Sequence, residues 1–597
     1  MCGFIGFTQK QDMKKYKNIL YHRGPDNVDV FIDDSVSFLH NRLSVIDISD
    51  EANQPFISEI GNVIVFNGEI YNYKELKNRF NLNCKTSSDT EVIVKLYEKI
   101  GLNFIDYLNG IFAFAIYDKQ KKEIFLFRDR FGIKPLFYKF SKNFLSFASE
   151  IKALLSKNIE YNEQTIYDYL EFGLLCHNEN TFFQDIHSLK AAHLMKYDLV
   201  SKKFEIKRYW DIGKHETNLS EKEILEKTYE LLNDSMRLNL VSDVEVAISL
   251  SSGIDSTLLT KLAQNYNQKF KAFTFGFEEK DYDEVRKVKE NFDLSWLELY
   301  PTYLKKDDML KTLKEAIYYF ETPLGGLGTL SAFWMMKEVR QQNIKVILAG
   351  EGSDETFGGY QYYYPAFFSD IKEKSLLKNE LDFYNRKHNK NIELYSKEYM
   401  DLLSQAKSNK VLAPDGTTSL SSYIGSALID FRSNNDFVTN KFKSNLSNLM
   451  YQDMFVKKLP KLLHFQDRAS MANSVESRVP FLEHRLVEFL YSLPPEYKIK
   501  NGETKYLLKQ ILKEKFNYKE KRETKHYVAT PQREWLKNSK VKGDILEIVR
   551  YSKLNSLKYI NFDKFAKDYD KYTNSNELGN SFFVWKIINL SYLIKGY

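Results

Sequence analysis

Two hydrophobic rhythms divide this chain, and together they rule out one uniform architecture. Up to about residue 208 the pattern is mostly short strands with period-two alternation, broken by Gly, Pro and Asn turns. Ile111–Asp118, Glu123–Arg128, Pro135–Phe140 and Phe144–Ser149 are clear cases, with helices expected over Glu91–Ile100 and Asn162–Phe172. Close-set strands with a few helices predict stacked antiparallel sheets under helical cover. The rhythm then changes. An amphipathic helix over Ser220–Asn239 leads to a strand at Val244–Leu250 and a helix from Ser256. Further strands are expected at Lys271–Phe277, Trp296–Tyr300 and Lys345–Ala349, with helical segments between them. Strand–helix–strand repetition predicts a parallel sheet covered by helices, and residues after about 360 read as largely helical. A chain of 597 residues is too long for a single growing core. The change of pattern near Lys207–Lys214 divides it into residues 1–208 and 220–597.

Composition narrows the class. With 43% hydrophobic residues the chain has ample material for folded cores and is not a disordered protein. Its net charge of +6 is spread along the whole length without a Lys/Arg stripe, so nucleic acid is not an expected partner. Cys2, Cys84 and Cys176 form no CxxC or metal-ligand spacing, which suits a reducing compartment. No run approaches the roughly 18 apolar residues of a membrane helix. Lys10 interrupts the start before a signal-peptide core can form. A cytoplasmic location is therefore expected, with no membrane partner.

Cys2 carries chemical potential once Met1 is removed, and a small second residue permits that removal. The new terminus bears a thiol and a free α-amine on one carbon. An amine with a pKa of about 7.7–8.0 can serve as the thiol's base. Asn67-Gly68-Glu69 follows the apolar strand Val63–Phe66, and an Asn amide beside a Gly N–H can aim two donors at one oxygen. Arg42 can bind a free carboxylate bidentately or sit as a solvated charge. Asp89, within Ser87-Ser88-Asp89-Thr90-Glu91, can pair with an ammonium group, cap the helix it begins, or do both.

Met-Cys-Gly-Phe-Ile-Gly, His22-Arg23-Gly24-Pro25-Asp26, Asn41–Asp47, Phe66–Asn72 and Arg128–Leu136 resemble, in order, the glutaminase domain of class II glutamine amidotransferases. The resemblance covers most of residues 1–150. It implies an N-terminal-nucleophile αββα sandwich in which Cys2 attacks the side-chain amide of glutamine. Asn67 and Gly68 would stabilise the tetrahedral oxyanion. Arg42, Leu43, Ser44, Val45, Glu69 and Asp89, with Asn67 and Gly68, would form the glutamine-binding set.

Ser251-Ser252-Gly253-Ile254-Asp255-Ser256 lies between an expected strand and a helix. Small residues there let backbone N–H groups approach phosphate oxygens, and the helix start adds favourable potential. The plainer reading is a helix cap. Ala349-Gly350-Glu351-Gly352-Ser353-Asp354-Glu355 also follows an expected buried strand, so both loops should open at the same carboxyl edge. Asp255 and Asp354 then offer the hard oxygen ligands that Mg²⁺ prefers.

Ser251–Ser256, Tyr282-Asp283-Glu284, Gly350–Tyr360, Asp467–Ala472 and Glu476–Leu482 resemble the synthetase domain of glutamine-hydrolysing asparagine synthetases, over roughly residues 240–530. The resemblance implies an α/β pyrophosphate-loop domain with a largely helical C-terminal part. It also implies ATP as substrate, Mg²⁺ as cofactor, aspartate as acceptor, and a β-aspartyl-AMP intermediate. Ser251, Gly253, Asp255 and Ser256 would cradle pyrophosphate, and Lys505 would offset phosphate charge. Asp255 and Asp354 would bind Mg²⁺. Leu250, Phe275, Ala349 and Gly350 would line the AMP pocket, and Glu351 would be the base for ammonia. A homodimer is compatible with this reading.

Three departures loosen the acceptor assignment. Ser252 stands where the family usually has Gly, with a left-handed backbone as one expected cost. Lys525-His526-Tyr527-Val528 replaces Lys-Gln-Gly-Phe. The segment Glu321–Gly328 is unusually rich in glycine. An enzyme of the same build that amidates a sugar acid or a peptide side chain is the nearest alternative.

Overall fold

The computed structural model describes residues 2–266, 269–407, 419–433, 439–518, 529–575 and 579–595. The period-two segments form two six-stranded sheets. The first runs His187–Ser188, Phe137–Ser141, Phe144–Ala148, Gly3–Phe7, Ser37–Arg42, Asn27–Ile32 in spatial order. The second runs Phe204–Arg208, His193–Asp198, Glu123–Arg128, Gly110–Asp118, Val63–Ile70, Phe56–Ile57. Their neighbouring strands pair antiparallel. Inward residues of both sheets, among them Phe4, Phe38, Val65, Ala113 and Leu126, close one shared core. The helix Asp89–Ile100 packs over the outer face of the second sheet. Glu163–Phe172 and C-terminal helical residues cover the first. This is the expected N-terminal-nucleophile sandwich.

Ser220 begins the next unit with a complete capping box, its side chain accepting from Glu223 N while Glu223 accepts from Ser220. The helix Glu221–Asn239 leads into a five-stranded sheet ordered Leu297–Tyr303, Phe270–Gly276, Val246–Ser249, Val346–Leu348, Glu476–Arg478. All four pairings are parallel. Parallel strands buried on both faces require long crossovers, and helices such as Ile254–Gln264 and Leu327–Gln341 supply them. Glu476–Arg478 is an added strand that the sequence pattern did not announce. Among the described residues beyond 360, almost all regular structure is helical. No helix among the described residues is long and apolar enough to cross a membrane.

Candidate active site

The first strand and its neighbours place Cys2 against a small cavity. The Cys2 side is 7% exposed, and its Sγ lies 3.9 Å from the Leu43 carbonyl. Arg42, Leu43, Val45, Gly68, Glu69 and Asp89 line the same cavity. Ser44 does not. Its amide donates to Asp26 Oδ2 at 2.8 Å, and its carbonyl accepts from Lys345 Nζ. Met1 lies outside the described residues, so the Cys2 nitrogen stands for the α-amine that its removal would leave. That nitrogen donates to Asn67 Oδ1 at 3.1 Å. With its oxygen so engaged, Asn67 Nδ2 is buried without a partner. An unmatched donor beside a nucleophile is what an oxyanion needs.

Gly68 has φ +149, and a Cβ there would fall 2.0 Å from the Ile111 carbonyl oxygen. Only glycine fits this approach between adjacent strands. Asp89 is not the cap of its helix. Ser88 takes that role by accepting from Thr90 N, which leaves the Asp89 carboxylate to accept from Ile70 N at 2.9 Å. Burial pushes Asp89 up to about 7, and burial with Glu476 nearby raises Glu69 well above the usual carboxylate range. Two crowded buried carboxylates favour a cationic guest. Glu69 Oε2 is buried without a partner. Arg42 is further constrained than its sequence suggests, because its guanidinium donates to the carbonyls of Ile46, Asp47 and Ser49 and to Asn53 Oδ1. These acceptors are all neutral, so the positive charge faces the cavity wall unneutralised by a contact carboxylate. Burial raises the Cys2 thiol above its usual value, while Arg42 pulls it down.

The second constellation sits at the carboxyl edge of the parallel sheet. Val246–Ser249 and Val346–Leu348 are adjacent, so the loops that follow them face each other. Lys505 Nζ bridges the two loops, 2.5 Å from Asp255 Oδ1 and 2.8 Å from Asp354 Oδ1. Ser353 Oγ donates to Asp255 Oδ1 at 2.8 Å. Within the first loop, Ser256 Oγ donates to the Ser251 carbonyl and Ser251 N donates to Ser256 Oγ. Gly253 is the residue before the helix Ile254–Gln264, with no side-chain cap. Ser252 does not adopt a left-handed backbone, correcting that expectation, and its N–H donates to Glu284 Oε1 at 2.6 Å.

Leu250, Ala349 and Gly350 follow directly on these strands, and Phe275 lies near the end of the neighbouring one. Leu250 N donates to the Phe273 carbonyl and Ala349 N to that of Arg478, so the backbone at this edge is fixed. Glu351 Oε2 is buried without a partner, and burial, with Asp255 adding, pushes this carboxyl up to about 7.

Among the described residues no group of three metal-ligating side chains converges. Asp255 and Asp354 nevertheless hold a cation between hard oxygens, which fits Mg²⁺ that takes its remaining ligands from phosphate and water. The departure at 525–528 lies outside the described residues.

Several residues that the sequence pattern does not single out join the two domains. Arg23 is fully buried, and its Nε donates to the Cys2 carbonyl at 3.0 Å. The same guanidinium grips Asp467 through two bonds of 2.9 and 3.1 Å and Glu150 at 2.8 Å. Arg468 extends the cluster to Glu150 and to Glu321, and Lys152 pairs with both carboxylates. Arg23 and Asp467 lie within motifs already noted, but nothing in their spacing forecasts that they meet.

A sandwich of the N-terminal-nucleophile type with Cys2 at its start, followed by a loop pair on a parallel sheet, is the build of an ATP-dependent glutamine amidotransferase. A glutamine amidotransferase domain model matches residues 1–210, and an asparagine synthase model matches residues 227–592. The chain belongs to the asparagine synthase family and is a glutamine-dependent, ATP-using ligase of the asparagine synthetase type. Asparagine synthetase (glutamine-hydrolyzing) 1 of Bacillus subtilis is 29% identical over 99% of this chain and 97% of its own. Asparagine synthetase (glutamine-hydrolyzing) 2 of the same organism is 34% identical over 83% of this chain and 67% of its own. Amidase chry2 of Gibberella zeae is 28% identical over 84% of this chain and 82% of its own.

Proposed function

We propose that this chain hydrolyses glutamine at Cys2 and uses the ammonia to convert aspartate to asparagine through β-aspartyl-AMP. Residues 1–208 are the glutaminase and 220–597 the synthetase. The observation that carries the reading is the free Asn67 amide beside Cys2, in one chain with two loops joined through Lys505.

The Cys2 sulfur attacks the glutamine side-chain carbonyl, and its proton passes to the α-amine. Asn67 Nδ2 and the Gly68 N–H bind the resulting oxyanion. Collapse expels ammonia and leaves a thioester, which water hydrolyses to glutamate. Glu69 and Asp89 hold the substrate ammonium and the Arg42 region its carboxylate. In the synthetase, an aspartate carboxylate oxygen attacks the α-phosphorus of ATP and pyrophosphate leaves. Ser251, Gly253, Asp255 and Ser256 hold the pyrophosphate, and Lys505 moves from its two aspartates toward phosphate oxygen. Asp255 and Asp354 would hold Mg²⁺, which when bound would supply charge neutralisation at the phosphates. Leu250, Phe275, Ala349 and Gly350 line the adenylate pocket. Ammonia attacks the acyl carbon, AMP leaves, and Glu351 takes the surplus proton, for which a pKa of about 7 is suited.

Neutral ammonia is the nucleophile, so a dry passage between domains would preserve it. An external scavenger should leave glutamine-dependent synthesis intact; abolition of the product by the scavenger would exclude the passage. The main test is Cys2→Ala, expected to remove glutaminase activity while synthesis from added ammonia continues. Loss of both, in a protein that still folds, would count against separate sites.

A second reading has its own support. After Glu321, whose carboxylate is taken by Arg468, Lys152 and the amides of Ile151 and Lys152, the segment through Gly328 carries no charged side chain. It offers no charged side chain to pair with a free amino acid's ammonium or carboxylate. A relative named an amidase points the same way. Mass spectrometry of products formed from glutamine, ATP and a panel of carboxylic acids separates aspartate from a sugar acid or peptide side chain.

A further inference from the structure

A sizeable cavity belongs to neither constellation. It has a volume of about 280 Å³ and lies where the two domains meet, between the Arg128–His193 side of the glutaminase and residues 451–464 of the synthetase. Its lining includes no aspartate or glutamate, yet Arg128, Lys190 and Arg208 contribute to its wall. At the rim, Lys190 and Arg208 are paired with Glu179 and Asp211.

Arg128 is different. It donates to the carbonyls of Lys134, Leu189 and Gly132 and to Ser188 Oγ, all neutral acceptors. The adjacent Asp129 is taken up by the amides of Phe112, Phe131, Ile133 and Lys134. Arg128 therefore holds a full charge in a secluded position without a contact counter-ion, and burial lowers its pKa accordingly. Thr322 Oγ1, also in the lining, is buried with no partner. The rest of the wall is largely apolar and aromatic, including Phe131, Phe182 and Phe455. Phe131 stacks on Phe455, 6.2 Å between centroids.

The synthetase side of the wall is a π-helical turn, Asp453–Lys457, a rare geometry that recurs at functional sites. Its Asp453 accepts from Tyr362 Oη at 2.8 Å, just beyond the loop that carries Asp354. We propose that this interdomain cavity is a binding site for a carboxylate on a ring-sized apolar body. The anion neutralises Arg128 and accepts from Thr322, and the apolar body lies among the phenylalanines.

The test uses the full-length enzyme with 2-naphthoate as probe and 2-naphthamide as its uncharged comparator, titrated by calorimetry. One equivalent of naphthoate is expected to bind, at least tenfold tighter than the amide, with neither glutamine nor ATP displacing it. Val456→Trp, which puts bulk into the cavity from the π turn, should weaken naphthoate at least tenfold while glutaminase activity persists. Arg128→Leu, if it folds, should abolish the preference for acid over amide. Equal binding of acid and amide, displacement by glutamine or ATP, unchanged binding to Val456→Trp, or no binding at millimolar probe would each overturn the assignment.

Discussion

Asn67 acts through the division of its two ends. Its oxygen faces the Cys2 nitrogen and its amide stays open, so on the proposed mechanism the orientation of one side chain would both position the base and prepare the oxyanion site. Replacing Asn67 with Ala removes one donor and should lower glutaminase kcat about 10²–10³-fold, with ammonia-dependent synthesis unchanged. Steady-state rates with each nitrogen source check this. Asp89 sets a pH dependence. Its pKa, raised to about 7, means the carboxylate is largely protonated below that pH and ionised above it. A glutamine ammonium pairs only with the ionised form, so affinity should rise with pH up to about 7 and then level off. The slope below 7 should approach about tenfold per pH unit. Calorimetry of glutamine binding to Cys2→Ala between pH 5.5 and 8.5 measures this, with the levelling point moved down because Cys2 contributes to the rise, and Asp89→Asn should bind more weakly and lose Asp89's share of the slope. A wild-type profile without that slope would remove Asp89 from the ammonium site.

At the level of elements, the two loops owe their meeting to strand order: Val246–Ser249 and Val346–Leu348 are sheet neighbours although about a hundred residues separate them. Gly359 seals the junction. A Cβ there would lie 1.8 Å from Asp354 Oδ1 and 2.2 Å from Lys505 Cε. Gly359→Ala should therefore abolish glutamine-independent adenylation, read as ATP–pyrophosphate exchange, while glutamine hydrolysis at the distant sandwich persists. Much of this level was legible in the sequence. Period-two strands and buried apolar strands announce themselves because one or both faces are hydrophobic. Glu476–Arg478 stayed hidden because it is a fully buried strand whose charged residues neutralise each other, Arg478 Nε lying 2.5 Å from Glu476 Oε1. Internal ion pairs imitate a surface in a one-dimensional pattern. Cys2, Asn67 and Asp255 were recognisable from local motifs, whereas Ser353 and Glu284 act through partners far along the chain. The carbonyl-filled surroundings of Arg42 were equally invisible, since they arise from how the loop at 46–49 folds back.

Across the whole molecule, a buried cluster of Arg23, Lys152 and Arg468 with Glu150, Glu321 and Asp467 joins the domains. It runs from the Cys2 carbonyl to Glu321, the residue that opens the glycine-rich segment. Removing Asp467 leaves the buried cluster with one positive charge too many, with Glu150 as the remaining partner of Arg23, so Asp467→Ala should destabilise the protein by about 3–5 kcal/mol. Denaturant unfolding measures that loss. The same variant should form more than one glutamate per AMP, because Arg23 no longer ties the Cys2 backbone to the synthetase helix Leu459–Met471. Stoichiometric turnover in a destabilised variant would mean the cluster is cement only.

That shared cluster has an engineering consequence. The halves of this chain meet through specific pairs: a foreign front end grafted at the junction has to supply a match for Asp467, Arg468 and Glu321. A transplant should succeed only if His22-Arg23 and Glu150-Ile151-Lys152 travel with their opposite numbers, so the inheritable unit is the seam between the halves as much as either half.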